Sequence, residues 1–484
     1  MNEEFVLETK GKNRLIISPN QYCFIKLPSS GIKIVQLRPD GVISLGKFGC
    51  FEVNSVLNHP YGETFEIIEN KQARAIYTDA FEAGNDDEDL EEENISEAEI
   101  SSKLLSTDKE NKSRLDNRDV NDIGSGVQKL TSVEIELLKK DSELSNKGKG
   151  IIEKLIESHT NFNKKTVHSQ EKYVKRKQQK FLKVFTIEYL SASNLLRFYT
   201  SKDFGKIHEL SEESLGLMIS LADVRPGGRY LVVDECLGLI VYTMMERMNL
   251  QGEIVLIHEN EHANLISLKY SDYSEEEIKK FVKTINWLQF FEPDNEKIKF
   301  PIKSETEISL LTAQKRSNYY RHKRNAEITN SVIDNVKRGQ FDGLIMASTL
   351  YLPKLLPKIV DKIGGSRAIV CYSNNKELLN ETNHVLLNDV RVINSKILET
   401  RVRPYQSIPG KLHPLMTIRS GGGYLLWGLR VIPGDKIKAT GRGNKKSKDI
   451  KEKEAEKQEE KKVKDAKIEG KDDLERELKK PKIE

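Results

Sequence analysis

Four short apolar runs, separated by helical or polar stretches, occupy the second half of the chain and constrain its fold more than any other feature. They are residues 230–233, 253–257, 343–347 and 368–372. Continuous apolar runs that alternate with helices are typical of a parallel sheet covered on both faces. Residues 390–403 and 415–431 have β character, and we expect them to pair as an antiparallel hairpin at the end of this α/β domain.

The first eighty residues show a different pattern, with short β segments and no helix between them. The segments are residues 14–17, 22–27, 32–37, 42–45 and 65–68. Turn signals such as Arg38-Pro39-Asp40-Gly41 separate them. Even spacing of this kind is found in small barrels and sandwiches, and we predict an N-terminal β-barrel domain over residues 1–80.

The distribution of charged residues separates the other regions of the chain. Residues 82–93 hold eight acids and no base, so the chain without them would carry +12, eight more than the +4 of the whole. We predict an acidic disordered insertion over 81–128, a helical linker over 129–220, the α/β domain over 221–435 and a charged disordered tail over 436–484. Within the linker, Thr131 and Glu134 have capping-box spacing. The basic remainder favours a polyanionic partner, the alternative being that it only maintains solubility.

Several protein classes are disfavoured by composition. The four cysteines, Cys23, Cys50, Cys236 and Cys371, are scattered without CxxC spacing, which argues against a disulfide framework or a zinc finger and fits a reducing compartment. The N-terminus lacks the apolar run of a signal peptide, and no apolar stretch approaches the ~18 residues of a membrane span. We therefore expect no membrane association.

The loop after the first α/β strand is the most informative site. An S-adenosylmethionine enzyme has an acid there, followed by Gly-x-Gly-x-Gly, because glycines let the backbone approach the cofactor. Here Asp234 supplies an acid and Gly238 one glycine, whereas Cys236 and Ile240 stand at the other two positions. An ordinary strand-to-helix turn and a decayed cofactor loop both explain this pattern, and both predict that no cofactor binds.

Two further strand ends carry polar residues of the kinds found in chemical sites. Residues 258–262 match the letters of the zinc-binding HExxH motif, but an apolar β run leads directly into His258, and the motif requires a helix. Glu259 is better explained as an acid that contacts a ribose hydroxyl. At the end of the third strand, Ala347-Ser348-Thr349 offers no carboxylate, amide or general base. We predict neither a metal site nor catalytic residues.

Two runs interleave cations with aromatic residues, around residues 164–181 and 315–324. Lys and Arg contact phosphates, and aromatic rings stack on unpaired bases, whereas the alternative is a solvated helix face with its rings packed inward. The candidate RNA-binding residues are Lys164, Lys165, Lys172, Lys175, Arg176, Lys177, Lys180, Arg316, Arg321, Lys323 and Arg324.

Seven segments together resemble one protein family. They are residues 42–49 (VISLGKFG), 60–62 (PYG), 169–173 (SQEKY), 222–227 (ADVRPG), 341–344 (FDGL), 413–414 (HP) and 421–426 (GGGYLL). The chain in this way resembles the non-catalytic subunits of eukaryotic tRNA N1-methyladenosine-58 methyltransferases. The resemblance implies a degenerate Rossmann-like methyltransferase fold, tRNA binding, a nuclear location, and a catalytic partner subunit that binds S-adenosylmethionine, usually with two copies of each subunit.

Two other hypotheses remain open at this point. One is a divergent active methyltransferase that uses Glu259 and a reshaped loop, which predicts cofactor binding by the isolated chain. The other is a stand-alone RNA-binding protein, which predicts a stable monomer that binds RNA tightly without a partner.

Overall fold

The structure is a computed structural model. It describes residues 15–76, 130–140, 147–165, 167–408, 411–416 and 422–434. The predicted acidic insertion (81–128) and charged tail (436–484) lie outside the described residues. Among the helices that are described, none combines the length and the hydropathy that crossing a bilayer requires.

An antiparallel sheet forms most of the N-terminal region. Its first strands are Tyr22–Lys26 (β1), Ile32–Gln36 (β2), Val42–Ser44 (β3), Cys50–Glu52 (β4), Thr64–Ile67 (β5) and Ala73–Ile76 (β6). The strand order is β2-β1-β7-β5-β6, where β7 is Val184–Tyr189, and β3 pairs with β4 in a separate hairpin. Pro39-Asp40-Gly41 makes the turn before β3, with Asp40 at φ 60°.

The central strand β7 is contributed from far along the chain. Its Phe185 ring lies 4.4 Å from that of Phe51 and 5.6 Å from that of Phe65, measured between centroids. The closed barrel that we predicted is not confirmed, because the edge strands β2 and β6 do not pair with each other in the described sheet. The strand expected at residues 14–17 is reduced to one bridge between Ile16 and Pro60.

The described residues between β6 and β7 include the helices Ser132–Lys140 (α1), Lys147–Glu157 (α2) and Val167–Phe181 (α3). The predicted capping box at the start of α1 is confirmed, since Thr131 N–H donates to Glu134 at 2.8 Å and Glu134 N–H donates to Thr131 Oγ1 at 3.3 Å. Apolar residues of α2, including Leu155, are buried in one cluster with Phe181 of α3. These helices therefore have a small core of their own.

A seven-stranded sheet forms the α/β region. Its strands are Arg229–Asp234 (β8), Glu253–His258 (β9), Val282–Asn286 (β10), Phe341–Ala347 (β11), Ile363–Ser373 (β12), Val392–Glu399 (β13) and Tyr424–Arg430 (β16). A separate hairpin between β13 and β16 consists of Tyr405–Ile408 (β14) and Lys411–Pro414 (β15). The remaining helices are Ala192–Lys202 (α4), Glu212–Leu221 (α5), Leu239–Met248 (α6), Glu275–Phe281 (α7), Trp287–Phe291 (α8), Glu305–Ser309 (α9), Ala313–Arg338 (α10), Leu352–Ile359 (α11) and Lys376–Leu387 (α12).

The strand order is β10-β9-β8-β11-β12-β16-β13. The first five strands are parallel, and β16 runs antiparallel between β12 and β13. The predicted parallel sheet and terminal antiparallel pair are thereby confirmed. Numbered along the chain, the order is 3-2-1-4-5-7-6 with the seventh strand reversed, the arrangement of Rossmann-like methyltransferases.

Alternate side chains of β8 pack into two separate cores. Tyr230 and Val232 belong to one face, and Leu231 and Val233 to the other. This explains why β8 appears in the sequence as a continuous apolar run. The carboxyl ends of β8, β9 and β11 meet at one edge, where open α/β sheets bind their ligands.

Candidate functional site

Asp234 ends β8, and its carboxylate is fully used within its own loop. The Cys236 N–H donates to Oδ1 at 2.8 Å, and the Val241 N–H donates to Oδ2 at 3.1 Å. Burial raises the pKa of Asp234 to about 6, although these amide donors lower it in part. The acid expected in this loop is present, but both of its oxygens hold the start of α6.

Cys236 and Ile240 take the positions where a cofactor loop has glycines. Both side chains are completely buried in the same core as Tyr230. The Cys236 Sγ lies 3.5 Å from the backbone oxygen of Ile207, and burial raises the pKa of this thiol well above its ordinary value. The cysteine is a core residue, and a protonated, inaccessible thiol is not a nucleophile.

The segment after β9 lies directly on the β8 loop. A Cβ placed on Gly238 would be 3.0 Å from Leu265 Cα and 3.2 Å from the Asn264 carbonyl oxygen. The Ser267 N–H donates to the Leu237 carbonyl at 3.0 Å, which ties the segment to the loop. Protein atoms therefore fill the space beside the loop, and the residues present do not fit S-adenosylmethionine.

The end of β11 is joined to the end of β8. The Glu235 carboxylate accepts from the Ser348 hydroxyl, and from both the N–H and the hydroxyl of Thr349 at 2.8 Å each. Ser348 is only 6% exposed. Glu235, Ser348 and Thr349 thus hydrogen-bond to one another at the end of β11.

The HExxH residues start on a strand. His258 is the last residue of β9, and its Nδ1 lies 2.7 Å from the Asn260 carbonyl oxygen. Glu259 is exposed in the bend that follows. Within the described part of the chain, no group of His, Cys, Asp and Glu side chains is arranged to hold a metal ion.

The basic helix α3 separates its cations from its aromatic rings. Lys172, Arg176 and Lys180 are exposed and lie one turn apart, with Lys175 beside them. The rings on the same helix turn inward, since Phe181 is buried and Tyr173 packs against His159 at 5.0 Å between centroids. This helix can bind phosphates, but its rings are not placed to stack on bases.

Lys165, Lys164 and Lys177 differ from these exposed cations. Lys165 is only 7% exposed, and its Nζ lies 5.2 Å from the centroid of the Tyr173 ring, so its charge is used inside the fold. The Nζ of Lys177 covers the same ring at 4.9 Å, and its pKa is lowered by burial and by Lys180 and Lys165. The side chain of Lys164 lies outside the described part.

The second basic run lies on the long helix α10. Arg316, Arg321 and Arg324 are exposed, and Lys323 is half-buried. One guanidinium nitrogen of Arg316 donates to the Ser309 carbonyl at 3.1 Å, which fixes the start of the helix. Arg321 and Arg324 are both exposed and lie one turn apart on this helix.

The fold and the site together define a Rossmann-like methyltransferase fold with a closed cofactor loop and no acid at the catalytic strand end. The chain belongs to the Gcd10p family, which matches residues 16–315.

Similar proteins cover nearly the whole chain. A protein of Debaryomyces hansenii is 50% identical over 91% of this chain and 92% of its own length, and one of Kluyveromyces lactis is 45% identical over 86% and 87%. A protein of Schizosaccharomyces pombe is 30% identical over 88% and 94%. All three are named tRNA (adenine(58)-N(1))-methyltransferase non-catalytic subunit TRM6.

Two solved structures are similar at low sequence identity. One is an S-adenosylmethionine-dependent O-methyltransferase of Thermotoga maritima, with a TM-score of 0.45 and 10% identity over 88% of this chain and 98% of that one. The other is the tRNA (m1A58) methyltransferase TrmI of Aquifex aeolicus, with a TM-score of 0.36 and 10% identity over 86% and 100%.

Proposed function

We propose that this chain is the non-catalytic subunit of a tRNA (adenine-58-N1)-methyltransferase. It binds tRNA and supports a catalytic partner that carries S-adenosylmethionine. The observation that carries the proposal is the filled loop at Gly238 and Leu265, in a chain whose relatives are named non-catalytic subunits. A chain with this loop contributes no methyl donor, so the chemistry belongs to the partner.

The RNA-binding role rests on the exposed cations of α3 and α10. Lys172, Lys175, Arg176 and Lys180 form a cationic stripe, and Arg321 and Arg324 form a second cationic surface. Phosphate contacts from such residues supply most of the sequence-independent affinity for nucleic acid. Lys165 is left out of this surface because it is buried.

The assembly and the location are further parts of the proposal. Two copies of this chain join two catalytic subunits, and the complex acts in the nucleus. Chromatography with light scattering on the purified mixture tests the stoichiometry, and a mass equal to one copy of each subunit would contradict it. Imaging of a tagged chain tests the location, and exclusion from the nucleus would contradict it.

The decisive experiment measures methyl transfer to tRNA by this chain alone, by the partner alone, and by the mixture. Calorimetric titration of S-adenosylmethionine into each subunit accompanies it. We expect activity in the mixture, none from this chain alone, and cofactor binding by the partner only. Activity or cofactor binding by this chain alone would support a divergent active methyltransferase instead. Tight tRNA binding by a stable monomer, with no effect on the partner, would support a stand-alone RNA-binding protein.

A further inference from the structure

An apolar groove lies on the face of the sheet opposite the filled loop. Its volume is about 280 Å³, and it is formed by Trp287, Phe291, Tyr351, Leu355, Lys354 and Lys358. Trp287 and Leu355 pack against the core that contains Leu231, whereas Cys236 belongs to the core on the other side. The groove therefore lies on the other face of the sheet from Cys236, although Leu350 of its lining directly follows Thr349.

Aromatic side chains are exposed to solvent at this groove. Trp287 and Phe291 lie on the short helix α8 with their ring planes 16° apart and their centroids 5.8 Å apart. Phe291 is 43% exposed and Tyr351 is 47% exposed. The hydroxyl of Tyr351 donates to the carboxylate of Glu381, which holds its ring in position. Contiguous exposed apolar surface with a polar rim marks interaction sites.

Two cations border the rings. Lys354 and Lys358 are exposed and lie one turn apart on α11. The Nζ of Lys354 is 5.8 Å from the Tyr351 centroid, and that of Lys358 is 5.9 Å from the Phe291 centroid. In the region that the structure describes, neither lysine is ion-paired with an acid. Their charge is available to an anionic ligand.

We propose that this groove binds one unpaired nucleobase of RNA, with Lys354 and Lys358 on the adjacent phosphates. The proposal deepens the proposed function and rests on it, because it names the part of the RNA that this chain recognises. A volume of about 280 Å³ lies just below the range of drug-sized ligand pockets (~300–1,000 Å³), which suits a single planar base. Aromatic rings stack on bases of any sequence, and lysines contact the backbone.

Charge favours RNA over an apolar protein partner. An aliphatic side chain in the groove would leave two ammonium groups at the edge of a dry contact without counter-charges, which is unfavourable. A nucleotide brings its phosphate with its base, so both the rings and the lysines find a partner. The ligand that matches both features is therefore a single-stranded nucleotide.

The test uses the full chain in complex with its catalytic partner. Fluorescence anisotropy measures the affinity for a single-stranded RNA oligonucleotide and for an RNA duplex of the same length. Tyr351→Ala is expected to weaken single-strand binding about 5- to 100-fold. Tyr351→Phe keeps the ring but loses the hydrogen bond to Glu381, so it should weaken single-strand binding much less than Tyr351→Ala. Phe291→Ala is a second variant that removes a ring from the other side.

The salt dependence of binding tests Lys354 and Lys358 separately. The double variant Lys354→Ala/Lys358→Ala should reduce the slope of log affinity against log salt for single strands by ~0.7 for each lost phosphate contact. Lys269→Ala/Lys280→Ala removes the same charge from exposed positions elsewhere and is expected to leave most of that slope in place.

Three outcomes would overturn the proposal. One is unchanged single-strand affinity in both ring variants. Another is equal weakening of duplex binding, which would indicate a general electrostatic effect. The third is loss of co-elution with the partner subunit in Tyr351→Ala, which would make the groove a protein interface. In each case, tRNA methylation by the wild-type mixture still reports separately on the proposed function.

Discussion

The Glu235 carboxylate accepts the Thr349 N–H at 2.8 Å, and this bond joins the carboxyl ends of β8 and β11. In a strand order with β8 and β11 adjacent, these two ends frame the position where a methyltransferase brings cofactor and target base together. Here the position is closed by hydrogen bonds within the chain. The same residues that would have to serve chemistry instead stabilise the fold.

Glu235→Ala should therefore lower stability. The change leaves the Ser348 hydroxyl and the Thr349 N–H without their acceptor, and we expect the free energy of unfolding to fall by about 1–3 kcal/mol. Urea denaturation with an unchanged m-value measures it. Glu259→Ala removes an exposed acid at the next strand end and should stay within about 0.5 kcal/mol of wild type. Equal effects of the two substitutions would contradict this role of Glu235.

Asp234→Asn should change how stability depends on pH. Because burial raises the pKa of Asp234 from its ordinary 3.8 to about 6, the folded chain binds a proton more tightly than the unfolded chain. The contribution of this group to stability is thus fully present below pH ~4 and is lost as pH rises through ~6. The loss is on the order of 3 kcal/mol at most.

The measurement for Asp234 is a series of unfolding experiments from pH 4 to pH 7. Asparagine does not titrate. The difference in the free energy of unfolding, wild type minus variant, should therefore decrease as the pH rises from 4 to 7. A difference that stays constant over this range would show that Asp234 is not held at a raised pKa. Glu259→Gln is the control, as an exposed acid one strand away.

Gly238→Ala tests whether the segment after β9 covers the β8 loop. Gly238 has φ +79°, and a Cβ there would approach Leu265 Cα to 3.0 Å, so both strain and overlap are expected. We predict a loss of about 1–3 kcal/mol in thermal or urea unfolding. Gly216→Ala is the matched control, since its Cβ on α5 would meet nothing within 4 Å and should stabilise the chain by up to about 1 kcal/mol. A neutral Gly238→Ala would indicate that the loop is open.

Lys172→Ala/Lys180→Ala should weaken tRNA binding by the complex without abolishing assembly. Both side chains are exposed on α3, one above the other with Arg176 between them. Each lost contact to a duplex phosphate lowers the slope of log affinity against log salt by ~0.9. The double variant should therefore change this slope by ~1.8, measured between 50 and 200 mM salt. Lys269→Ala/Lys280→Ala removes equal charge elsewhere. If the two double variants weakened tRNA binding equally, α3 would contribute only its net charge and not specific phosphate contacts.

Much of the α/β region could be predicted because its signals are local. Strands β8, β9, β11 and β12 are buried on both faces, and such strands are continuous apolar runs in any sequence. Strand β10 was missed, since Val282–Asn286 has only two apolar residues and lies at the sheet edge directly after a helix that begins with three glutamates. The absence of cofactor-loop glycines at Cys236 and Ile240 can be read from the sequence for a similar local reason, because glycine is required where a backbone must approach a ligand.

Other features depended on partners distant in the chain. Strand β7 completes the N-terminal sheet from beyond α1, α2 and α3, and its place is set by the packing of Phe185 between Phe51 and Phe65. The burial of Lys165 against Tyr173 likewise has no signal in a basic run. Composition alone does not tell a solvated cation from one stacked on a ring.

The sequence by itself determined the parallel sheet, the terminal antiparallel pair and the absence of the glycines and the acid that methyl transfer needs. These depend on residue type and spacing along a few neighbouring positions. Only the tertiary structure decided that Leu265 lies on Gly238, that Glu235 bonds Thr349, and that Phe291 and Tyr351 stand open beside two unpaired lysines. Those contacts join residues that are tens to more than a hundred positions apart, and the free energy that selects them belongs to packing rather than to local propensity.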